Sequence, residues 1–265
     1  MPGQPESGRR SDPNYLNQAA NSLQGRAHKE HMTEALRLDA GHIVADIGCG
    51  TGVDLAAMAD RVGSYGAVIG IDADETMISE AQRRSSGDSV ISVRHGDAHE
   101  LPLPDRSVDR VRMERVAQHL RDPAAAFAEV YRVIRPGGLF VVADPDWDTL
   151  VVDEVDIATS RAYTDFVRSE VVRNGPIGRQ PPRLVTDAGF DVSSVASIPF
   201  LFTDRGSGEE ILGIERVTGR AVQAGAIAAE AAQLWLDRLD NGSFTAAFTL
   251  FMIIARKPDY GSARK

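Results

Sequence analysis

Three glycines at alternate positions follow a short apolar run, and they are the residues best placed to hold a ligand. Residues 42–47 have the length and the bounds of a buried parallel strand, and they lead into the loop G-C-G-T-G. Because Gly48, Gly50 and Gly52 lack a Cβ atom, the chain can turn sharply there and a ligand can lie against the backbone. Val53 replaces the third glycine of the dinucleotide pattern G-x-G-x-x-G, which disfavours NAD and FAD.

Two carboxylates are spaced to recognise adenosine beside this loop. Asp72 ends the next apolar run, residues 67–71, about twenty residues after Gly52. A carboxylate at that strand end can accept hydrogen bonds from both ribose hydroxyls. Asp97 follows the run 90–94, where it can accept from an adenine amino group. Each feature alone also fits an ordinary turn, but the three at corresponding strand ends predict a cofactor that contains adenosine.

The chain resembles the class I S-adenosylmethionine-dependent methyltransferases in four segments. They are V-A-D-I-G-C-G-T-G at 44–52, G-I-D-A-D-E-T-M at 70–77, G-D-A-H-E-L-P at 96–102 and R-V-I-R-P-G-G at 132–138. The resemblance is to the branch that contains the ubiquinone and menaquinone C-methyltransferases and many bacterial small-molecule methyltransferases. It spans residues 15–257, and only its cofactor-binding half is specific.

The resemblance implies which residues bind S-adenosylmethionine. Asp46 and the glycine loop would hold the methionine end, and Asp72 the ribose. Met77 would cover one adenine face, with Asp97 at the adenine edge, and the backbone near Glu114 would meet the methionyl amine. The complete set of implied cofactor-binding residues is Tyr15, Lys29, Asp46, Gly48, Cys49, Gly50, Asp72, Ala73, Met77, Gly96, Asp97, Ala98, Met113 and Glu114.

Alternating strands and helices are expected to position these residues. After the first three strands, residues 108–113 and 138–143 predict strands four and five, and residues 53–61 predict the helix after the glycine loop. The segments 190–203 and 244–256 predict two last strands that form an antiparallel hairpin at the sheet edge. This order predicts an α/β fold with a doubly wound, mostly parallel, seven-stranded sheet.

Segments outside the sheet are expected to cover it. Residues 1–14 are polar and lack periodicity, which predicts a disordered tail, and residues 15–265 predict one domain with a helical lid over 15–40. Tyr15 and Lys29 match lid positions that close over the cofactor in related sequences, although both also suit the surface of an amphipathic helix. The cofactor-binding half is expected over 41–150 and the substrate-facing half over 151–265.

The substrate-facing half is predicted to contain helices at 153–173 and 181–188 and a longer helical insertion. This insertion, residues 208–239, precedes the last strand and is too long for a simple hairpin loop. It either packs on the edge of the sheet or covers the substrate pocket.

The loops after strands four and five are expected to face the transferred methyl group, because ligands bind beyond the carboxyl ends of such strands. His119 is the catalytic candidate, since an imidazole with an ordinary pKa of about 6.5 suits removal of a proton from oxygen, nitrogen or acidic carbon. It can instead serve only in packing. Arg115 can neutralise an acidic substrate or pair with Glu114.

The sequence D-P-D-W-D at 144–148 follows strand five. Either Asp144 or Asp146 is expected to contact a substrate hydroxyl or amine, and Trp147 to line the pocket. No metal is expected, because the length and the distal Glu of a calcium loop are missing. Other aromatic residues suit either pocket walls or core, namely Phe200, Phe202 and Trp235.

Composition limits the classes of substrate and partner. The chain of 265 residues is 43% hydrophobic and 25% charged, which is ordinary for a globular enzyme. A net charge of −9 disfavours nucleic acid as a substrate. No apolar run reaches the roughly 18 residues of a membrane span, and the first residues do not resemble a signal peptide, so a cytoplasmic protein without a membrane partner is expected. The single cysteine, Cys49, is expected to be structural.

These features together predict a methyltransferase. It is expected to move a methyl group from S-adenosyl-L-methionine, leaving S-adenosyl-L-homocysteine, to an O, N or C nucleophile by in-line displacement. The acceptor is expected to be a small molecule, a secondary metabolite or another apolar or aromatic compound, and the protein a monomer or homodimer. The alternative is an S-adenosylmethionine-binding protein of this fold that does not methylate, either a pericyclase-like catalyst or a regulatory module.

Overall fold

The computed structural model describes residues 23–259, so Tyr15 and the predicted tail lie outside the described residues. Within that range one seven-stranded sheet has the order β3-β2-β1-β4-β5-β7-β6. The strands are β1 (Ile43–Ile47), β2 (Ala67–Asp72), β3 (Ile91–His95), β4 (Val108–Glu114), β5 (Ile134–Val152), β6 (Asp191–Phe202) and β7 (Ala246–Arg256). The helices are α1 (Leu23–Ala35), α2 (Leu55–Val62), α3 (Glu75–Arg84), α4 (Pro123–Val133), α5 (Ile157–Phe166), α6 (Pro181–Asp187), α7 (Arg205–Leu212), α8 (Ile214–Gln223) and α9 (Ala229–Asn241).

The predicted α/β sheet is confirmed, including its antiparallel edge. Strands β1 to β5 are parallel neighbours, and β7 is antiparallel to both β5 and β6. Strand β1 lies between β2 and β4, so the strand order reverses there. Ligands of doubly wound sheets bind at such a reversal, beyond the carboxyl ends of the strands.

Strand β5 is much longer than predicted. Its parallel pairing with β4 ends at Glu114 and Ala143, but its antiparallel pairing with β7 continues to Val152 and Ala246. The register shifts between Asp146 and Val151. The sequence D-P-D-W-D therefore lies within a strand and not in a loop after it, because the last strand of the chain extends the hydrogen-bonded ladder.

One helical prediction needs correction, and the structure adds detail to another. The helix predicted over 153–173 is shorter: Asp156 caps α5 by accepting hydrogen bonds from the amides of Ala158 and Thr159, and a π-helical turn, Val167–Val171, follows the helix. The insertion consists of three helices, α7, α8 and α9. Gly213 separates the first two with a φ of +61°, a left-handed conformation that favours glycine.

The insertion is fixed to the rest of the domain by Trp235. This side chain is fully buried, its ring lies 5.5 Å from that of Tyr163 on α5, and its indole N–H donates to Thr218 Oγ1 at 3.1 Å. Trp235 is thus a core residue. None of the described helices combines the length and apolar character that crossing a bilayer requires.

Candidate active site

A cavity of about 880 Å³ lies at the carboxyl ends of β1, β2 and β4. Most of the residues predicted to bind the cofactor line it. They are Lys29, Gly48, Cys49, Gly50, Asp72, Ala73, Met77, Gly96, Asp97, Ala98 and Glu114. Asp46 and Met113 are buried behind this lining, with exposed fractions of 1% and 0%.

The glycine loop is held against the end of β2. Gly48, Gly50 and Gly52 all have positive φ, at +71°, +53° and +73°. The amides of Gly48 and Cys49 both donate to the carbonyl oxygen of Ile71, at 2.7 and 3.1 Å. A Cβ atom on Gly48 would lie 2.2 Å from a methyl group of Val116, so this position accepts glycine alone without rearrangement.

Cys49 belongs to the packing of this loop. Its side chain is buried, and burial raises the pKa of its thiol well above the ordinary value. A thiol that keeps its proton is a poor nucleophile, which agrees with a structural role.

Asp72 connects the loop to the cavity. Its Oδ2 accepts from the Gly50 amide at 2.9 Å and its Oδ1 from the Asp74 amide at 3.0 Å. Each carboxylate oxygen can accept a further hydrogen bond, and the side chain lines the cavity. Two such oxygens at a strand end suit the two hydroxyls of a ribose.

Asp97 is oriented by His99, a residue that the sequence analysis did not select. Asp97 Oδ1 accepts from the His99 amide at 2.9 Å and lies 2.5 Å from His99 Nδ1, while His99 Nε2 accepts from the Asp122 amide at 3.1 Å. The backbone hydrogen bond from His99, followed by its side-chain contact, lowers the pKa of Asp97. The ionised carboxylate keeps Oδ2 for a donor such as the adenine amino group.

A buried group of charges lies behind the methionine end of the predicted cofactor site. Arg112 on β4 is 3% exposed and donates to Asp46 and Asp54, both at 2.9 Å, and also to Glu114. Lys29 on α1 donates to Asp54. Burial raises the pKa of Asp46 to about 6, although Arg112 opposes this shift. Asp46 uses Oδ1 for its contact with Arg112, and in the described part of the chain its Oδ2 has no hydrogen-bond partner.

Glu114 connects this charged group to the cavity surface. Its Oε1 lies 3.3 Å from His28 Nε2 and 3.5 Å from Arg115 Nε. Burial alone would raise the pKa of Glu114, but the charges of Lys29 and Arg112 hold it well below its ordinary value. An ionised carboxylate at this point suits a cationic group such as the methionyl amine.

His28 is a second cavity residue that sequence reasoning missed. It is 4% exposed, and its ring lies edge-on to Phe200 at 5.9 Å. It therefore lies between Glu114 and Phe200. Nothing in an amphipathic helix distinguishes a histidine of this kind from a surface residue.

The D-P-D-W-D segment divides between two faces of β5. Pro145 and Trp147 line the cavity, whereas Asp144 and Asp146 do not. Because successive side chains of a strand point to opposite faces, a strand cannot present the acids and the tryptophan together. This placement corrects the expectation that Asp144 or Asp146 contacts the substrate.

Both acids have structural partners instead. Asp144 is fully buried and accepts from the amides of Ala117 and Gln118 at 3.2 and 3.1 Å. In the described chain no cation lies within ion-pair distance of Asp144. Its burial therefore raises its pKa to about 7. Asp146 is paired with Arg179.

The far part of the cavity has aromatic and aliphatic walls. Phe200 stacks on Phe248 with ring centres 5.1 Å apart, and Phe202 also lines the cavity. Trp147 packs 5.0 Å from Phe248 and donates its indole N–H to Gln118 Oε1 at 2.8 Å. His119 and Arg115 line the same cavity.

The insertion contacts both the domain core and the cavity. It packs on α5 through Trp235, and its residues Ile211, Leu212, Arg216 and Arg220 line the cavity. Over residues 23–259 there is no group of three or more His, Cys, Asp or Glu side chains that could hold a metal ion.

Comparison with known sequences identifies related proteins. The family model "Methyltransferase domain" matches residues 45–142. An uncharacterized 37.1 kDa protein in transposon Tn4556 of Streptomyces fradiae is 46% identical over 242 residues, which are 91% of this chain and 70% of that protein.

The relatives that carry functional names include the following two proteins. A protein named as an S-adenosylmethionine-dependent methyltransferase in Mycolicibacterium smegmatis is 41% identical over 107 residues, 40% of this chain and 39% of the relative. Demethylmenaquinone methyltransferase of Staphylococcus epidermidis is 30% identical over 135 residues, 51% of this chain and 56% of the relative. The chain thus aligns with less than two thirds of either protein.

Solved structures share the fold. A structure assigned to a methyltransferase of Bacillus halodurans has a TM-score of 0.65 and 19% identity, over 88% of this chain and 99% of that one. The [4+2]-cyclase SpnF has a TM-score of 0.59 and 19% identity, over 89% of this chain and 81% of that one. The glycine loop, the carboxylates of Asp72 and Asp97 and the sequence relatives agree: the chain belongs to the class I S-adenosylmethionine-dependent methyltransferases.

Proposed function

We propose that this enzyme methylates an O, N or C atom of a small molecule with an apolar or aromatic body. One observation carries the proposal: a single cavity of about 880 Å³ extends from the glycine loop to the wall of Phe200 and Phe248. Its size is at the upper end of the usual range for small-molecule pockets, about 300–1,000 Å³, which suits a cofactor with a second small ligand.

The cofactor-side residues would fix one reactant. Asp72 and Asp97 present acceptor oxygens for the ribose and the adenine amino group, and Glu114 presents an ionised carboxylate for the methionyl amine. When bound, S-adenosylmethionine supplies a methyl group already activated by its sulfonium. The protein then has mainly to align the acceptor and exclude water.

The far walls would fix the acceptor. Trp147, Phe200 and Phe248 form an apolar surface to which an aromatic or aliphatic body can pack, and the insertion covers it. His119 is the proposed proton acceptor, since it lines the cavity after β4. The net charge of −9 supports a small molecule over a nucleic acid as the acceptor.

The proposal can be tested with the full-length protein and isotope-labelled S-adenosylmethionine. The protein is incubated with the small-molecule, protein and RNA fractions of cells that encode it, and the Asp72→Ala variant is the control. We expect S-adenosylhomocysteine and a labelled product in the small-molecule fraction alone.

Other distributions would contradict the proposal. Label in the protein or RNA fraction would refute a small-molecule acceptor. Tight cofactor binding with an unlabelled, isomerised product would instead support the pericyclase-like alternative.

A further inference from the structure

Charged side chains are unevenly distributed along the cavity. The carboxylates that line it all come from residues 54–114: Asp54, Asp72, Asp74, Glu75, Asp97 and Glu114. We call the lining contributed by residues 115–250 the acceptor part. Among its described residues every Asp, Glu, Lys or Arg is an arginine: Arg115, Arg121, Arg216 and Arg220. Two of the four adjoin carboxylates of the other part, because Arg115 Nε lies 3.5 Å from Glu114 Oε1 and the charge of Arg121 acts on Asp97. Arg216 and Arg220 lie apart from these two, both on α8.

Arg220 is the best defined of these arginines. Its guanidinium carbon lies 5.9 Å from the ring centre of Phe166, and its Nη2 donates to the carbonyl oxygen of Glu170 at 3.3 Å. These contacts orient the guanidinium but do not neutralise it. In the described part of the chain no carboxylate lies within ion-pair distance of Arg220, and several of its N–H donors stay available.

Arg216 lies four residues before Arg220 on α8, so the two side chains share one face of this helix. Both line the cavity, and so do Leu212 on α7 and Val171 of the π-helical turn. Arg216 is exposed and Arg220 is half-buried, so solvent screens an anion bound to Arg220 less than one bound to Arg216. Arginine binds carboxylate and phosphate groups through paired N–H donors.

From this distribution we propose that the acceptor is an acid: an anionic group, carboxylate or phosphate, on an apolar body. Arg220 binds the anionic group, Arg216 adds positive charge one turn before it on α8, and the wall of Phe200 and Phe248 binds the apolar body. This inference rests on the proposed function, because it assigns a substrate class to the acceptor part of the same cavity. It makes the insertion the element that determines acceptor specificity.

The test compares matched ligands on the full-length protein saturated with S-adenosylhomocysteine. The probes are 1-naphthoate against its neutral analogue 1-naphthamide, and 1-naphthyl phosphate against 1-naphthol. Binding is measured by calorimetry for the wild type, Arg220→Gln and Arg216→Gln. The control is Arg161→Gln, which changes an exposed arginine on α5 outside the cavity lining.

We expect at least one acid to bind the wild type about tenfold or more tightly than its neutral analogue, and the pair that shows this identifies carboxylate or phosphate. Arg220→Gln should reduce that ratio to less than threefold, Arg216→Gln should reduce it partly, and Arg161→Gln should preserve it. Equal binding of acids and neutral analogues, no binding of either acid, or a ratio that survives in Arg220→Gln would overturn the proposal. S-adenosylhomocysteine affinity is measured first in every variant, so that its loss, which would count against the proposed function, is distinguished from a loss of acid preference alone.

Discussion

Asp72 offers the most direct test of the cofactor site. Each of its carboxylate oxygens already accepts one backbone hydrogen bond and can accept another from a ligand. Oδ2 accepts from the Gly50 amide at 2.9 Å and Oδ1 from the Asp74 amide at 3.0 Å. The remaining acceptor capacity of the two oxygens is expected to receive the two ribose hydroxyls. Asp72→Ala would remove both ligand contacts and release the glycine loop from its anchor.

The expected loss follows from the number of hydrogen bonds. A hydrogen bond to a charged group contributes about 1.5–3 kcal/mol, and part of this is recovered by water because Asp72 is only partly buried. Two such bonds give a loss of about 2–4 kcal/mol, which corresponds to roughly 30- to 1,000-fold weaker binding.

Asp72→Asn should weaken binding nearly as much as Asp72→Ala. Either orientation of the new amide places its NH₂ group against a backbone N–H, that of Gly50 or that of Asp74. Two donors then face each other, and one acceptor for the ribose is lost.

Calorimetry with S-adenosylhomocysteine measures these losses, with circular dichroism to establish that each variant is folded. The matched control is Asp88→Ala, because exposed Asp88 accepts from the Val90 amide at 2.9 Å but does not line the cavity. Its affinity should equal that of the wild type. Unchanged affinity in a folded Asp72→Ala variant would remove Asp72 from the site.

Three further predictions concern the loop, the proposed base and a buried acid. Gly50→Val forces a branched side chain into a φ of +53°, so calorimetry should show no S-adenosylhomocysteine binding with only a modest fall in melting temperature; retained binding would mean that the loop does not contact the ligand. His119→Ala should lower the single-turnover rate about 10²- to 10⁴-fold at unchanged cofactor affinity; a loss below about tenfold would exclude the base role. Burial raises the pKa of Asp144 from 3.8 to about 7, so the folded state holds a proton that the unfolded state releases, and urea denaturation should show stability falling by about 2–3 kcal/mol between pH 5 and pH 8. Asp144→Asn should remove this part of the pH dependence, and an identical profile in wild type and variant would contradict the assignment.

The cofactor half was predictable because its information is local. A strand, a turn and a carboxylate follow one another within a few residues, and the structure places Gly48, Asp72 and Asp97 on one cavity at the ends of β1, β2 and β3. Each of these units folds according to its own periodicity and turn chemistry. The roles of these residues in binding stay predictions that the variants above test.

The acceptor half depends on contacts between residues far apart in the chain. The extension of β5 to Val152 requires the ladder to β7, about a hundred residues later. This partner decides that Trp147 lines the cavity and that Asp144 is buried. Strand propensity depends on such neighbours more than helix propensity does, so composition alone could not distinguish a strand here from a loop.

Arg112 was missed although the sequence contains an indication of its role. It is paired in register with Asp46 on the neighbouring strand, so opposite charges occupy matching positions of the two central strands. Buried ion pairs are weak stabilisers, because desolvation offsets their attraction, and apolar replacements are often as stable. Stability therefore does not explain why this pair lies behind the glycine loop. The further contacts of Arg112 explain its position. Arg112 also binds Asp54 and Glu114, and both of these carboxylates contact Lys29 on α1. Arg112 thereby fixes α1 against the methionine end of the cavity.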